Sequence, residues 1–260
     1  VSVQTSAGDR TQWRNVAPTN PARTYKYANA TVKFSTPAAA VNTNGDHQFL
    51  IELLPGEDDE YVRSGRWALH IRNTGATPAH VHVWTITPEE DKAQNTVATA
   101  DFVPATADKR CLIGSPGSAA AAITVAAYTT KTKWTDGAGS PQTYDLDLDI
   151  IARFSSPGPL RDGAPKPDLA APGAMIASCR SQQSDPYPTD IISTHHVMMG
   201  GTSMAAPVVT GAIALLLQQS PTLTPADAKK QLQACARRPG ITPNTHDILW
   251  GFGLLDARNL

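Results

Sequence analysis

Two patterns of apolar and polar residues divide the chain, and they predict different structures. From about residue 13 to 104 the apolar positions fall in short, alternating segments at 24–34, 47–54, 67–72 and 80–87. A period of two is that of half-buried strands. Turn-forming clusters separate them, such as Asn42-Thr43-Asn44-Gly45-Asp46 and Asn73-Thr74-Gly75-Ala76. No helix-period stretch intervenes, so this region predicts an antiparallel β-sandwich, jelly-roll-like in its run of short strands. From Ile113 onward the chain becomes Ala-rich and its apolar runs lengthen. Residues 122–128 read as a buried strand and 131–147 as a polar excursion. Residues 203–219 predict a buried helix. A second helix is signalled by Thr224 as N-cap, Pro225 at the first helical position and Asp227 in the first turn. It runs to about Ala236, and Pro239-Gly240 terminates it.

Composition narrows the classes of function. A chain of 260 residues can bury a substantial core, as one large domain or two smaller ones. With a net charge of -1 and 17% charged residues, it has no electrostatic case for a nucleic-acid or anionic-membrane partner. The apolar run after Ser203 is too short to span a bilayer and is interrupted by Thr210 and Gly211, so no membrane segment is predicted. Val1 to Thr5 is neither a signal peptide nor a Met start, which reads as a fragment or a processed product. Cys111, Cys179 and Cys235 are too few and too scattered for a disulfide framework or a zinc site. Three buried thiols are expected, with one bridge plus a free thiol as the alternative.

The candidate chemistry lies in Gly201-Thr202-Ser203-Met204-Ala205-Ala206-Pro207, where a small polar turn enters the apolar helix. A hydroxyl there sits among unpaired backbone N–H groups at the positive end of the helix dipole. Such a place stabilises developing negative charge, as acyl transfer at a serine requires. The plainer alternative makes Ser203 or Thr202 the helix N-cap. The whole string resembles the nucleophile segment of the subtilisin-like serine peptidases (subtilases), in which this serine attacks the scissile carbonyl. Further segments are similar to that family in the family's own order. They are Ser115-Pro116-Gly117-Ser118-Ala119 leading into Ile123 to Ala127, Ile151 to Pro159, Lys166-Pro167-Asp168-Leu169-Ala170-Ala171-Pro172-Gly173, and Gly251 to Ala257. Val1 to Asp9 resembles the strand that ends in the oxyanion-hole Asn, with Asp9 in the Asn position. A carboxylate only repels an oxyanion, so Asp9 could serve only when protonated. Ordinary turn chemistry after a strand is the alternative.

The departures matter as much. A serine nucleophile needs a general base and a carboxylate that orients it. The family supplies these from an Asp-(Ser/Thr)-Gly and a His-Gly-Thr motif, and neither occurs in this chain. Among the seven histidines, His80 and His82 read as solvated strand residues rather than metal ligands. His195 and His196 lie just upstream of Ser203, but reaching it would need a sharp chain reversal. Glu57-Asp58-Asp59-Glu60 reads as a solvated hairpin tip rather than a calcium loop, and Trp67 and Trp84 as core residues rather than a sugar platform.

The resemblance implies a subtilisin-like α/β domain with a mainly parallel sheet, made from residues 1–12 and 105–260, with residues 13–104 inserted as the sandwich. It implies a serine endopeptidase with Ser203 as nucleophile, and Gly8, Asp9, Ser115, Pro116, Gly117 and Thr202 around the oxyanion and S1 region. It further implies a polypeptide substrate, no metal or cofactor, and export from the cell. The triad Asp and His would come from a missing upstream part of the same protein, so the chain alone would be inactive. The alternatives are a catalytically dead relative that binds a partner, or a sandwich module binding protein or glycan.

Overall fold

The computed structural model describes every residue except 17–19, 37–45, 86–101, 104–106, 239–244 and 260. Residues 42–45 of the first turn cluster, the end of the 80–87 segment and Pro239-Gly240 therefore lie outside the described residues. The chain divides into two compact units, Val1–Thr106 and Ala107–Leu260.

In the first unit the strands are β1 (Ser2–Gln4), β2 (Arg23–Tyr27), β3 (Ala30–Ser35), β4 (Leu50–Leu54) and β5 (Ala68–His70). Strands β2, β3 and β4 form an antiparallel sheet, and β1 pairs antiparallel with β5. Alternation along β3 works as predicted: Ala30, Val32 and Phe34 are buried, and the residues between them are half-buried. Phe34 meets Tyr25 edge-on at 5.8 Å and stacks on Phe49 at 5.7 Å. Val3 of β1 and Leu69 of β5 join the same cluster, with Trp67 packed against it. The N-terminal strand, which the sequence assigns with the later domain, is thus held inside the first unit by its partner β5. Residues 80–85 alternate in sequence yet join no ladder, and Val81 and Val83 are exposed. Trp84 is exposed too, stacked on His82 at 5.5 Å, and is not a core residue.

The second unit holds β6 (Val125–Thr129), β7 (Lys133–Thr135), β8 (Pro141–Thr143), β9 (Leu169–Ala174), β10 (Ile176–Cys179), β11 (Ile191–Ser193) and β12 (His196–Met199), then helices α1 (Thr202–Gln219) and α2 (Pro225–Cys235). Its sheets are mixed: β6 and β9 are parallel, whereas β7–β8 and β10–β12–β11 are antiparallel. The parallel ladder is buried on both faces, as parallel pairs are. One face presents Val125, Ala127, Leu169 and Ala171 to Ala205, Val209, Ala212 and Leu216 of α1. The other presents Ala126 and Ala170 to Ile151, Trp250 and Leu254. Alanine on both partners lets helix and sheet approach closely. A Cβ added at Gly173 would lie 2.8 Å from the methyls of both Ala127 and Ala205, so only glycine fits there. Gly201 N donates to Gly173 O at 2.8 Å, which pins the start of α1 to the end of β9.

Two helical expectations fare differently. Helix α2 is capped as read, with Thr224 Oγ1 accepting from Asp227 N at 3.2 Å, and it ends at Cys235. Helix α1 is buried on one face only. Its 18 residues reach the lower end of the membrane-spanning range, longer than its apolar run suggested. The face packed on β6 and β9 is that of a core helix. The cysteines form no disulfide and none is buried, with Cys179 exposed, contrary to the expected buried thiols.

Candidate active site

Ser203 is the second residue of α1 and is exposed at its N-terminus. Gly201 precedes the helix at φ 153°, a conformation suited to glycine, and no side chain caps the first turn. The N-cap alternative for Thr202 and Ser203 is thereby removed, since both lie inside the helix. The first N–H groups of any α-helix lack intrahelical acceptors, and the dipole's positive end lies beside them. Pro207 adds an asymmetry. It has no N–H for the carbonyl of Ser203, so the first turn is loosened on the serine's own peptide. The arrangement is an exposed hydroxyl in a helix's first turn, next to donors suited to an oxyanion.

The other predicted residues are placed as follows. Thr202 adjoins Ser203 and is exposed. Ser115, Pro116 and Gly117 form a turn closed by Ala119 N donating to Pro116 O at 3.0 Å. Thr124 Oγ1 donates to Gly117 O at 2.6 Å, which fixes that turn at the start of β6, while α1 starts at the far end of the β6–β9 ladder. Gly8 and Asp9 lie in the first unit, in a tight turn where Gly8 N donates to Thr5 O at 3.0 Å and Thr5 N to Asp9 O at 2.8 Å. The Asp9 side chain is exposed.

Among the described residues no histidine hydrogen-bonds to Ser203. His196 Nδ1 contacts Ser193 Oγ at 3.0 Å across the β11–β12 turn, and His246 Nε2 lies 3.0 Å from Pro167 O with its ring edge-on to Phe252. The first contact is local and the second joins residues far apart in sequence. No cluster of three or more His, Cys, Asp or Glu suited to a metal occurs among the described residues.

The most buried ionic cluster serves the frame around the site. Asp168, its side chain 2% exposed, accepts from Lys166 Nζ at 2.7 Å, Lys229 Nζ at 2.6 Å, Thr124 N at 2.8 Å and Gln233 Nε2 at 3.2 Å. Burial lowers the Lys166 pKa, against the raising effect of its bond to Asp168. The sequence shows Lys166-Pro167-Asp168 only as a motif; the structure gives it a task, tying α2 to the start of β6. Ser155 is explained in the same way, its Oγ accepting from Ala127 N at 3.0 Å beside the parallel ladder.

The geometry is that of a serine-bearing helix start packed on a small parallel ladder. A family model described as the subtilase family matches residues 70–253, and the chain belongs to that family. It is 36% identical to serine protease AprX of Bacillus subtilis over 151 residues, covering 56% of this chain and 31% of AprX. It is 41% identical over 91 residues to the subtilisin-like protease SBT3.4 of Arabidopsis thaliana, covering 34% of this chain and 11% of that protein. The structure of the Clostridium perfringens CspB protease superposes with a TM-score of 0.67 at 19% identity, covering 99% of this chain and 48% of that one. The fold is therefore an α/β protease fold, and the family's activity is serine-peptidase hydrolysis. The chain spans about a third of AprX and about half of the CspB structure.

Proposed function

We propose that this chain carries the nucleophile half of a subtilisin-type serine endopeptidase. Ser203 Oγ attacks the scissile carbonyl of a polypeptide and passes its proton to a histidine base, and the tetrahedral oxyanion receives the Ser203 N–H. Departure of the amine leaves an acyl-enzyme that water hydrolyses. The observation that carries this reading is the position of Ser203, exposed in the first turn of α1 within the family-matched stretch. The base and its orienting carboxylate come from an upstream segment absent here, so the chain alone is inactive. The assignment of Thr202, Gly8, Asp9, Ser115, Pro116 and Gly117 to the oxyanion and S1 region rests on motif order. Gly8 and Asp9 precede the family-matched residues, and are assigned on the weaker, N-terminal part of that order. Residues 13–104 form an inserted jelly-roll-like sandwich, and the whole protein acts outside the cell without a metal or cofactor.

Asp9 favours a second reading, a catalytically inactive relative that binds a partner, since an exposed carboxylate cannot donate to an oxyanion. Fluorophosphonate labelling separates the two. The protein joined to its upstream segment should be labelled, the isolated chain should not, and Ser203→Ala should abolish labelling. An unlabelled joined protein would leave the inactive reading standing.

A further inference from the structure

A cavity of about 330 Å³ opens in the second unit between the β7–β8 turn, the segment before β11 and the β11–β12 turn, and none of its lining residues is assigned above to the catalytic site. Its walls are fixed by hydrogen bonds. Asp136 holds the β7–β8 turn by accepting from Ala138 N at 3.0 Å and Ser140 N at 2.8 Å, and Gly137 N donates to Ile191 O at 2.7 Å. Trp134 Nε1 donates to Thr189 O at 2.9 Å, and Arg180 N to His195 O at 2.7 Å. Among the described residues Arg180 is the only ionisable side chain lining the cavity. It lacks what other arginines of the unit have. Arg110, Arg153, Arg238 and Arg258 each pair with a carboxylate. Arg180 pairs with none among the described residues, and its buried Nε has no acceptor there. A buried donor without an acceptor and a cation without a counter-charge both favour the binding of an anion.

We propose that this cavity binds the C-terminal carboxylate of a peptide whose last residue is apolar. A guanidinium presents a planar fork that matches the two oxygens of a carboxylate. Ser193 and Thr194, both exposed, add hydroxyl groups from the β11–β12 turn. Pro188 and Ile191 supply an apolar wall on which a side chain packs. One charge beside an apolar wall suits an amphipathic chain end better than a compact, strongly hydrated anion such as phosphate. The volume lies at the lower end of small-ligand sites, which gives room for an end residue and not for a folded partner. The site is also distinct from the bond presented to Ser203. Strand β12, four residues long, and Gly200-Gly201 separate the β11–β12 turn from α1, and at about 3.3 Å per residue the strand alone spans roughly 13 Å. Binding here does not depend on Ser203 being a nucleophile.

The test measures Kd by calorimetry, with the protein joined to its upstream segment and N-acetyl-leucine as the probe. Saturable one-to-one binding is expected. N-acetyl-leucinamide, which lacks the carboxylate, should bind at least about tenfold more weakly, the order of a charge-assisted hydrogen bond. Arg180→Gln removes the fork, and Ala138→Phe fills the cavity without touching the charge. Each should weaken binding at least about tenfold while leaving the thermal melt unchanged. Arg153→Gln, at an arginine already paired with Asp145, should leave the Kd within about twofold. The site is overturned if no saturable binding occurs, or if binding survives both cavity variants. Binding lost in Ser203→Ala but kept in Arg180→Gln would place the carboxylate at the serine and overturn it too. Two further arms test the ligand. Displacement of the probe by an equal concentration of inorganic phosphate would reveal a general anion site. Tighter binding of the α-amide of N-acetylglutamate would reveal a preference for acidic side chains. Either result overturns the assignment to an apolar chain end.

Discussion

The helix start at Ser203 was legible because its signal is local: a Gly-Gly-Thr-Ser turn entering an apolar run determines the first helical turn without help from distant chain. Asp9 was less so, since its role depends on what it faces rather than on its neighbours in sequence. The turn around it is ordinary, with Gly8 at φ 99° and Thr5 N closing on Asp9 O. In the proposed oxyanion role an ionised carboxylate repels the charge that an amide would stabilise. Asp9→Asn should therefore raise the fluorophosphonate labelling rate of the joined protein at neutral pH. A donor of this kind is worth roughly a hundredfold in rate. A rate that is unchanged or lower would remove position 9 from the oxyanion site.

At the scale of elements, caps and turns were readable, and burial was readable in β3 and β6 but not in α1. Helix α2 begins where Thr224 and Asp227 place it because a cap is satisfied within its own turn. The polar excursion hid the hairpin β7–β8, whose strands are too short to show a period. Its turn is built by Asp136 accepting from Ala138 N and Ser140 N. Helix α1 read as buried because it has no polar face, yet burial is set by what packs on it, which no periodicity reports. The Asp168 cluster was equally hidden, since its partners come from residues 124, 166, 229 and 233. Asp168→Ala would leave Lys166 buried without its carboxylate and release α2. Removing one partner of a buried pair costs about 3–5 kcal/mol, somewhat less here because Lys229 is partly solvated. Urea unfolding of the second unit should show a loss of that order. A change under about 1 kcal/mol would mean that the cluster does not hold α2 in place.

For the molecule as a whole, the sequence changes texture near residue 105, and the two compact units part at Thr106 and Ala107. Each carries its own apolar cluster, one around Val32 and Phe34, the others around Leu169, Leu232 and Ala170. A chain with separate cores need not unfold in one step. Phe34 is 1% exposed and ring-packed on Tyr25 and Phe49, so Phe34→Ala should cost about 3–5 kcal/mol. That loss should appear as faster amide exchange in β2, β3 and β4. Leu232 of α2 is fully buried, and Leu232→Ala should cost about 2–5 kcal/mol, read in β6, β9 and α1. Hydrogen-exchange mass spectrometry resolves the two regions within one sample. Each substitution should speed exchange in its own unit at least tenfold and leave the other within about twofold. If either variant accelerates both units equally, the two cores unfold as one cooperative body, and the division at Thr106 describes shape but not stability.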